Sequence, residues 1–147
     1  MSDTSSITEY MTAQHKECDR LLARAEHAAA AGDWDTARAE FEAFDALTRL
    51  HLRREEEILF PAFEERTGMT TGPTAVMRME HEQMRAVLDD MAAAVRNRDS
   101  DTYLGESETS MILTQQHNMK EEQILYGMSD QVLGDLAAEL VSRMDEA

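Results

Sequence analysis

Shifting the chain by 66 residues along itself carries His15 onto His81, His51 onto His117 and Glu55 onto Glu121, and superimposes Glu56, Ile58 and Leu59 on Glu122, Ile124 and Leu125. The segment His51-Leu-Arg-Arg-Glu-Glu-Glu-Ile-Leu-Phe thereby aligns with His117-Asn-Met-Lys-Glu-Glu-Gln-Ile-Leu-Tyr, and an aromatic closes both. Self-similarity at such a period marks one supersecondary unit used twice. Here the unit reads as a helical hairpin.

Helix is the only regular element the residues favour. Ala, Glu, Leu, Met and Arg dominate and strand-forming residues are sparse. At 147 residues and 42% hydrophobic content the chain has the size and apolar material of one folded domain, residues 1–147. Turn residues divide it into helices over about 7–30, 34–66, 73–98 and 101–126, with a shorter one over about 129–144. Gly32 stops the first and Asp33 or Asp35 caps the second. Pro61 can kink the second helix or shorten its end, Pro73 suits the first turn of the third, and Asp99, Ser100 or Asp101 caps the fourth. Gly127 is expected to end the fourth helix and Ser129 to cap the last.

Positions four apart on a helix lie about 40 degrees apart in projection, so His51 and Glu55 face one way, as do His117 and Glu121. The first pair shares its stripe with Phe44, Leu47, Ile58, Leu59 and Ala62, and the second with Leu113, Ile124, Leu125 and Met128. His81 lines up with Met77, Met84, Leu88, Met91 and Val95, and His15 with Met11, Leu22 and Ala29. All six polar residues are therefore predicted to face the core. Buried carboxylates without a partner shift their pKa or are excluded, so this set calls for a shared cation. Without one, at least one of the two glutamates is expected to carry a raised pKa.

Four imidazoles and two carboxylates are too many donors for one tetrahedral zinc, and bridging carboxylates suit iron or manganese. Imidazole-rich donation places iron ahead of manganese and zinc. His15 and His51 would hold one ion, His81 and His117 the other, with Glu55 and Glu121 bridging. Positions remain for an oxo or hydroxo bridge and an exogenous small ligand. Glu56 and Glu122, one residue further on, are the alternative bridges.

The remaining features exclude other classes. A net charge of −16, from 30 acidic and 14 basic residues, disfavours nucleic acid and anionic membrane surfaces as partners. Met1–Thr12 lacks the basic flank and apolar stretch of an export signal, and no run of about 18 apolar residues exists, so a cytoplasmic address is expected. Cys18 is the only cysteine, which rules out an intramolecular disulfide or a thiolate cluster.

A single His, then His-x-x-x-Glu-Glu and Ile-Leu-Phe-Pro, with the whole repeated, resembles the hemerythrin-like HHE cation-binding domain over nearly the full chain. The resemblance implies an all-α, antiparallel up-down-up-down four-helix bundle with a carboxylate-bridged di-iron centre that meets dioxygen, nitric oxide or peroxide. It places the metal ligands at His15, His51, Glu55, His81, His117 and Glu121. Oxygen-carrying hemerythrins add a fifth histidine one turn from that of the third helix, where this chain has Met77 and Arg85. The four-His, two-Glu set is closer to that of bacterial iron-centre repair proteins, whose cysteine-bearing N-terminal domain has no counterpart in these residues.

Other residues read as bystanders. His27 has Ala93 as its repeat equivalent and belongs on the surface, and Asp19, whose equivalent is Arg85, reads as a neighbour of the site or a surface residue. Tyr10, Tyr103 and Tyr126 read as packing residues or as hydrogen-bond donors beside the site, Cys18 as core or boundary, and the methionines of the third helix as core. Binding or sensing of dioxygen or nitric oxide ranks first among functions. Enzymatic removal of nitric oxide, peroxide or ferrous iron ranks next, and then iron donation or storage. No protein partner is indicated.

Overall fold

The computed structural model describes residues 5–147, in which all regular structure is helical. Residues 1–4 of the stretch read for an export signal lie outside the described residues. Helix α1 spans Ile7–Ala30 and opens on a capping box, the Ser6 side chain accepting from the Glu9 amide while the Glu9 carboxylate accepts from the Ser6 amide. Gly32, at φ 76°, turns the chain into α2 (Trp34–Arg54), which Asp33 caps. A π-helical turn, Glu55–Leu59, leads into α3 (Phe60–Thr67), and Gly68 ends that helix in the left-handed region. Helix α4 spans Pro73–Arg96 and α5 Ser100–Lys120, the latter capped by Asp99. A second π turn, Glu121–Leu125, leads into α6 (Tyr126–Leu133), and a short 3₁₀ turn precedes α7 (Ala137–Asp145).

Two expectations about boundaries need correction. Gly127 does not end a helix, and Ser129 caps nothing: the chain stays helical to Leu133, and the Ser129 hydroxyl donates to the Leu125 carbonyl. An exposed helical glycine costs only about 1 kcal/mol, whereas Tyr126, Ser129 and Leu133 are anchored in the interior. The last helix accordingly begins at Ala137 rather than near Ser129. Pro61 does not interrupt its helix either. It sits in the first turn after the π turn, where its missing N–H is least needed.

Helix α1 packs along α2 and α4 along α5, while α1 also touches α5 and α2 touches α4, which closes a four-helix bundle. Its interior has two apolar clusters. Leu21, Leu22, Phe41, Phe44, Leu88, Met91 and Tyr103 form one, and Ile7, Met11, Leu59, Phe60, Phe63, Met77, Leu125 and Leu133 belong to the other. Helices α6 and α7 close the second end. Asp130 accepts from the Ile7 and Thr8 amides at the start of α1, and Arg54 donates to the Met144 carbonyl at 2.6 Å. Among the described residues no helix is long and apolar enough to cross a membrane.

Gly127 has an ordinary φ and open space where a Cβ would stand. Gly127→Ala is therefore expected to stabilise the chain by about 0.5–1 kcal/mol, as a helix-interior substitution does. Gly68→Ala, at φ 73°, should destabilise it. Urea unfolding of both variants checks this, and destabilisation by Gly127→Ala would contradict the continuous helix.

Candidate metal centre

Between the two apolar clusters lies a polar layer made of His15, His51, Glu55, His81, His117 and Glu121, all at most 4% exposed. All six residues singled out in the sequence are brought together. Their donor atoms form two groups, one of His15, His51, Glu55 and Glu121 and one of His81, His117, Glu55 and Glu121, with the atoms of each group within 4.8 Å of one another. The two glutamates belong to both. Glu55 turns Oε2 toward His51 at 3.5 Å and Oε1 toward His81 at 3.0 Å. Glu121 turns Oε1 toward His15 at 3.1 Å and Oε2 toward His117 at 3.1 Å.

Each imidazole is aimed by its outer nitrogen. His15 Nδ1 meets Glu122 at 2.6 Å, His51 meets Gln14 Oε1 at 2.7 Å, His81 meets Glu56 at 2.7 Å and His117 meets Glu80 at 2.8 Å. Those oxygens only accept, so each Nδ1 carries a proton and donates it, leaving Nε2 as the nitrogen that faces the layer and can ligate a cation when unprotonated. The outer contacts obey the same 66-residue shift as the inner residues, Gln14 becoming Glu80 and Glu56 becoming Glu122. Glu56 and Glu122 thus accept from imidazoles on the outer side of the layer. Arg85 holds Glu56 through two hydrogen bonds, at 2.8 and 2.7 Å, and Lys120 pairs with Glu80.

The layer fits a cation. Glu55 Oε1, Glu121 Oε2, His81 Nε2 and His117 Nε2 are buried without a hydrogen-bond partner, though they lie close together. Buried donor atoms that converge without satisfied hydrogen bonds are what a metal ion satisfies.

In each half the fully buried glutamate begins the π turn, its carbonyl accepting from the aromatic residue five positions on: Phe60 N–H for Glu55 and Tyr126 N–H for Glu121. This closure brings residues five apart into line, as an α-helix does for residues four apart. Tyr126 consequently stands in the layer, its hydroxyl 2.5 Å from Glu55 Oε2, 2.8 Å from Glu121 Oε1 and 3.1 Å from His15 Nε2. The same turn moves Ile124, expected in the buried stripe, to 56% exposure. Regular α periodicity missed Gln14, Glu80 and the place of Tyr126; the repeat itself held the signal for the first two. His27 is exposed, Tyr103 packs in the apolar core against Trp34 and Phe41, Tyr10 donates to Asp145, and Cys18 is buried.

A helical bundle with this buried layer of imidazoles and carboxylates is a metal-binding protein of the non-haem kind. The family model for the hemerythrin HHE cation binding domain matches residues 6–129, and the chain belongs to that family. It matches no curated protein and no solved structure.

Metal-free, the layer must balance its own charges. Burial pushes the His15 imidazole down, but contacts with Glu121 and Glu122 and the charge of Glu55 outweigh it and raise it to about 9. His81 likewise loses to burial but gains more from Glu55 and Glu56, and also rises to about 9. Burial pushes Glu55 up, yet His51 and His81 hold it well below the usual carboxylate range. The expectation of a raised pKa is therefore reversed for Glu55, because imidazolium ions supply the charge that a metal would.

A histidine raised from near 6.5 to about 9 stabilises the fold fully below the first value and loses that contribution as pH rises through the second. A depressed Glu55 stabilises above the ordinary carboxylate range and loses its contribution only as pH falls through its lowered value. The metal-free chain is expected to be most stable between about pH 5 and 6.5 and to weaken toward pH 9. The metal-loaded chain should gain stability with pH across the acid range, since ligation needs neutral imidazoles and ionised carboxylates. Thermal melts of both forms, with a Glu55→Gln/Glu121→Gln variant as control for surface acids, check the opposite signs. Parallel profiles would refute them.

Proposed function

We propose that the chain is a non-haem di-iron protein that binds or senses a diatomic ligand, dioxygen or nitric oxide, in the cytoplasm. In this reading His15 and His51 ligate one iron and His81 and His117 the other, and Glu55 and Glu121 bridge them. The iron pair would supply a redox-active centre with positions open to an exogenous ligand. The chain's residues aim the ligands, exclude bulk water and set the size of what can enter.

The observation that carries this reading is a cavity of about 20 Å³ beside His15 and His51, lined by Cys18, Leu22, Phe44, Thr48, Met84 and Thr114 among others. Such a volume holds roughly one water-sized molecule, so a diatomic ligand suits it and an organic substrate does not. Beyond the ligands, Asp19 is the only carboxylate on its lining; the other polar groups are a thiol, two hydroxyls and the Asn118 amide. That sparse proton supply favours binding over turnover.

Two irons per chain are expected after reconstitution, and Glu55→Ala or Glu121→Ala should lower both occupancies, because each carboxylate serves both groups. His27→Ala should leave iron content unchanged. Loss of a single iron in either glutamate variant would argue against bridging. Stopped-flow mixing of the reduced iron protein with dioxygen, nitric oxide or peroxide should then give a stable, reversible adduct with one of the diatomics. Multiple turnovers would move the assignment to a detoxifying enzyme, and iron release to an iron donor. Thr114→Phe, which fills the cavity, should slow adduct formation while both irons stay bound.

A further inference from the structure

The 66-residue repeat fails at one buried position of the centre. Phe60 stacks on His81 with ring centroids 5.6 Å apart, and its equivalent Tyr126 lies 5.7 Å from the His15 ring. Only Tyr126 carries a hydroxyl, and that hydroxyl is directed into the layer. It has one proton to donate, yet two carboxylate oxygens and an imidazole nitrogen surround it: Glu55 Oε2 at 2.5 Å, Glu121 Oε1 at 2.8 Å and His15 Nε2 at 3.1 Å. His15 directs Nδ1 to Glu122 and Nε2 toward this same oxygen. The one phenolic proton can serve one of the two carboxylate oxygens and leaves the other facing an oxygen lone pair.

The spacing fits a coordination shell instead. Metal–nitrogen and metal–oxygen bonds of roughly 2.0–2.2 Å set at right angles put neighbouring donors about 3 Å apart. His15 Nε2 stands 3.1 Å from His51 Nε2 and 3.1 Å from Glu121 Oε1, the same separation it keeps from the Tyr126 oxygen. We propose that Tyr126 is a fifth protein ligand, through its phenolate oxygen, to the metal ion held by His15 and His51. The ion held by His81 and His117 has Phe60 in the equivalent place and only four protein donors. On binding, the cation takes the position of the phenolic proton, which leaves to solvent.

The placement also gives the small-ligand cavity a direction. Tyr126 belongs to the apolar cluster at one end of the layer, whereas the cavity walls Cys18, Leu22 and Phe44 belong to the cluster at the other. Four imidazole and carboxylate donors plus Tyr126 leave that ion one position of six, and the cavity adjoins the same two histidines. An exogenous ligand entering there meets the ion whose electron density the phenolate raises, so the two halves of the centre are chemically unequal.

This inference rests on the di-iron reading, and the test separates the two. Ferric-loaded wild-type protein should show a visible phenolate-to-iron charge-transfer band, with tyrosine ring modes enhanced when Raman scattering is excited within it. Tyr126→Phe should lose the band and the ring modes and still bind two irons, one of them released to a chelator at least about tenfold more readily. A Tyr10→Phe/Tyr103→Phe variant, with Tyr126 as its only tyrosine, should keep both signatures, which settles the matter even if Tyr126→Phe folds poorly. Two bound irons without tyrosine ring modes, or ring modes lost with Tyr10 and Tyr103, would overturn the fifth ligand alone. A wild-type chain that takes up no iron would overturn both readings.

Discussion

Six side chains able to ligate a metal are buried in one cross-section of the bundle, and most of the local design answers the need to aim them. An imidazole ring directs its inner lone pair only if its outer nitrogen is held, and all four outer nitrogens find an oxygen acceptor. None of those acceptors lies on the helix of the histidine it holds. Glu122 follows α5 and holds His15 on α1, while Glu56 follows α2 and holds His81 on α4. Gln14 and Glu80, on α1 and α4, hold His51 and His117. Aiming the ligands thereby fixes the register of the helices against one another, and the two apolar clusters press the layer from either side.

Neighbouring residues in the repeated Glu-Glu pair have different jobs because the backbone changes winding at that point. Glu55 and Glu121 are fully buried and enter the layer, whereas Glu56 and Glu122 lie nearer the surface and accept from imidazoles. The π turns that begin at Glu55 and Glu121 set the aromatic five residues on beneath each glutamate. They also displace the residue three on, so that Ile124 points to solvent while Leu125 is buried. A functional π turn within an otherwise regular helix is a local departure with a visible use, the delivery of Phe60 and Tyr126 to the centre.

The repeat is close to symmetric at the ligands and breaks around them. Arg85 neutralises Glu56, but its equivalent near Glu122 is Asp19, so one outer carboxylate is paired with a cation and the other faces a like charge. Burial is the first cause that raises the Asp19 pKa, and Glu122 adds to it, while His15 lowers it. Leu52 is matched by Asn118 and Cys18 by Met84, and all four line the cavity. Together with Phe60 and Tyr126 these substitutions give two halves with the same inner histidines and glutamates and different surroundings.

Much of this was readable in the residues themselves. Breakers and caps at Gly32, Asp33, Pro73 and Asp99 mark real helix ends, because each acts through its own backbone conformation or its own side chain. The 66-residue register identified the six buried polar residues, since i, i+4 spacing and repetition are properties of the chain alone. Gly127 misled because a local cost of about 1 kcal/mol is outweighed by burial of the residues on either side of it. The π turns, the position of Tyr126, the partners of the four Nδ1 atoms and the small cavity belong to tertiary structure. Each depends on distances between different helices or on a change of winding, and neither is encoded in the spacing of residues along one regular helix.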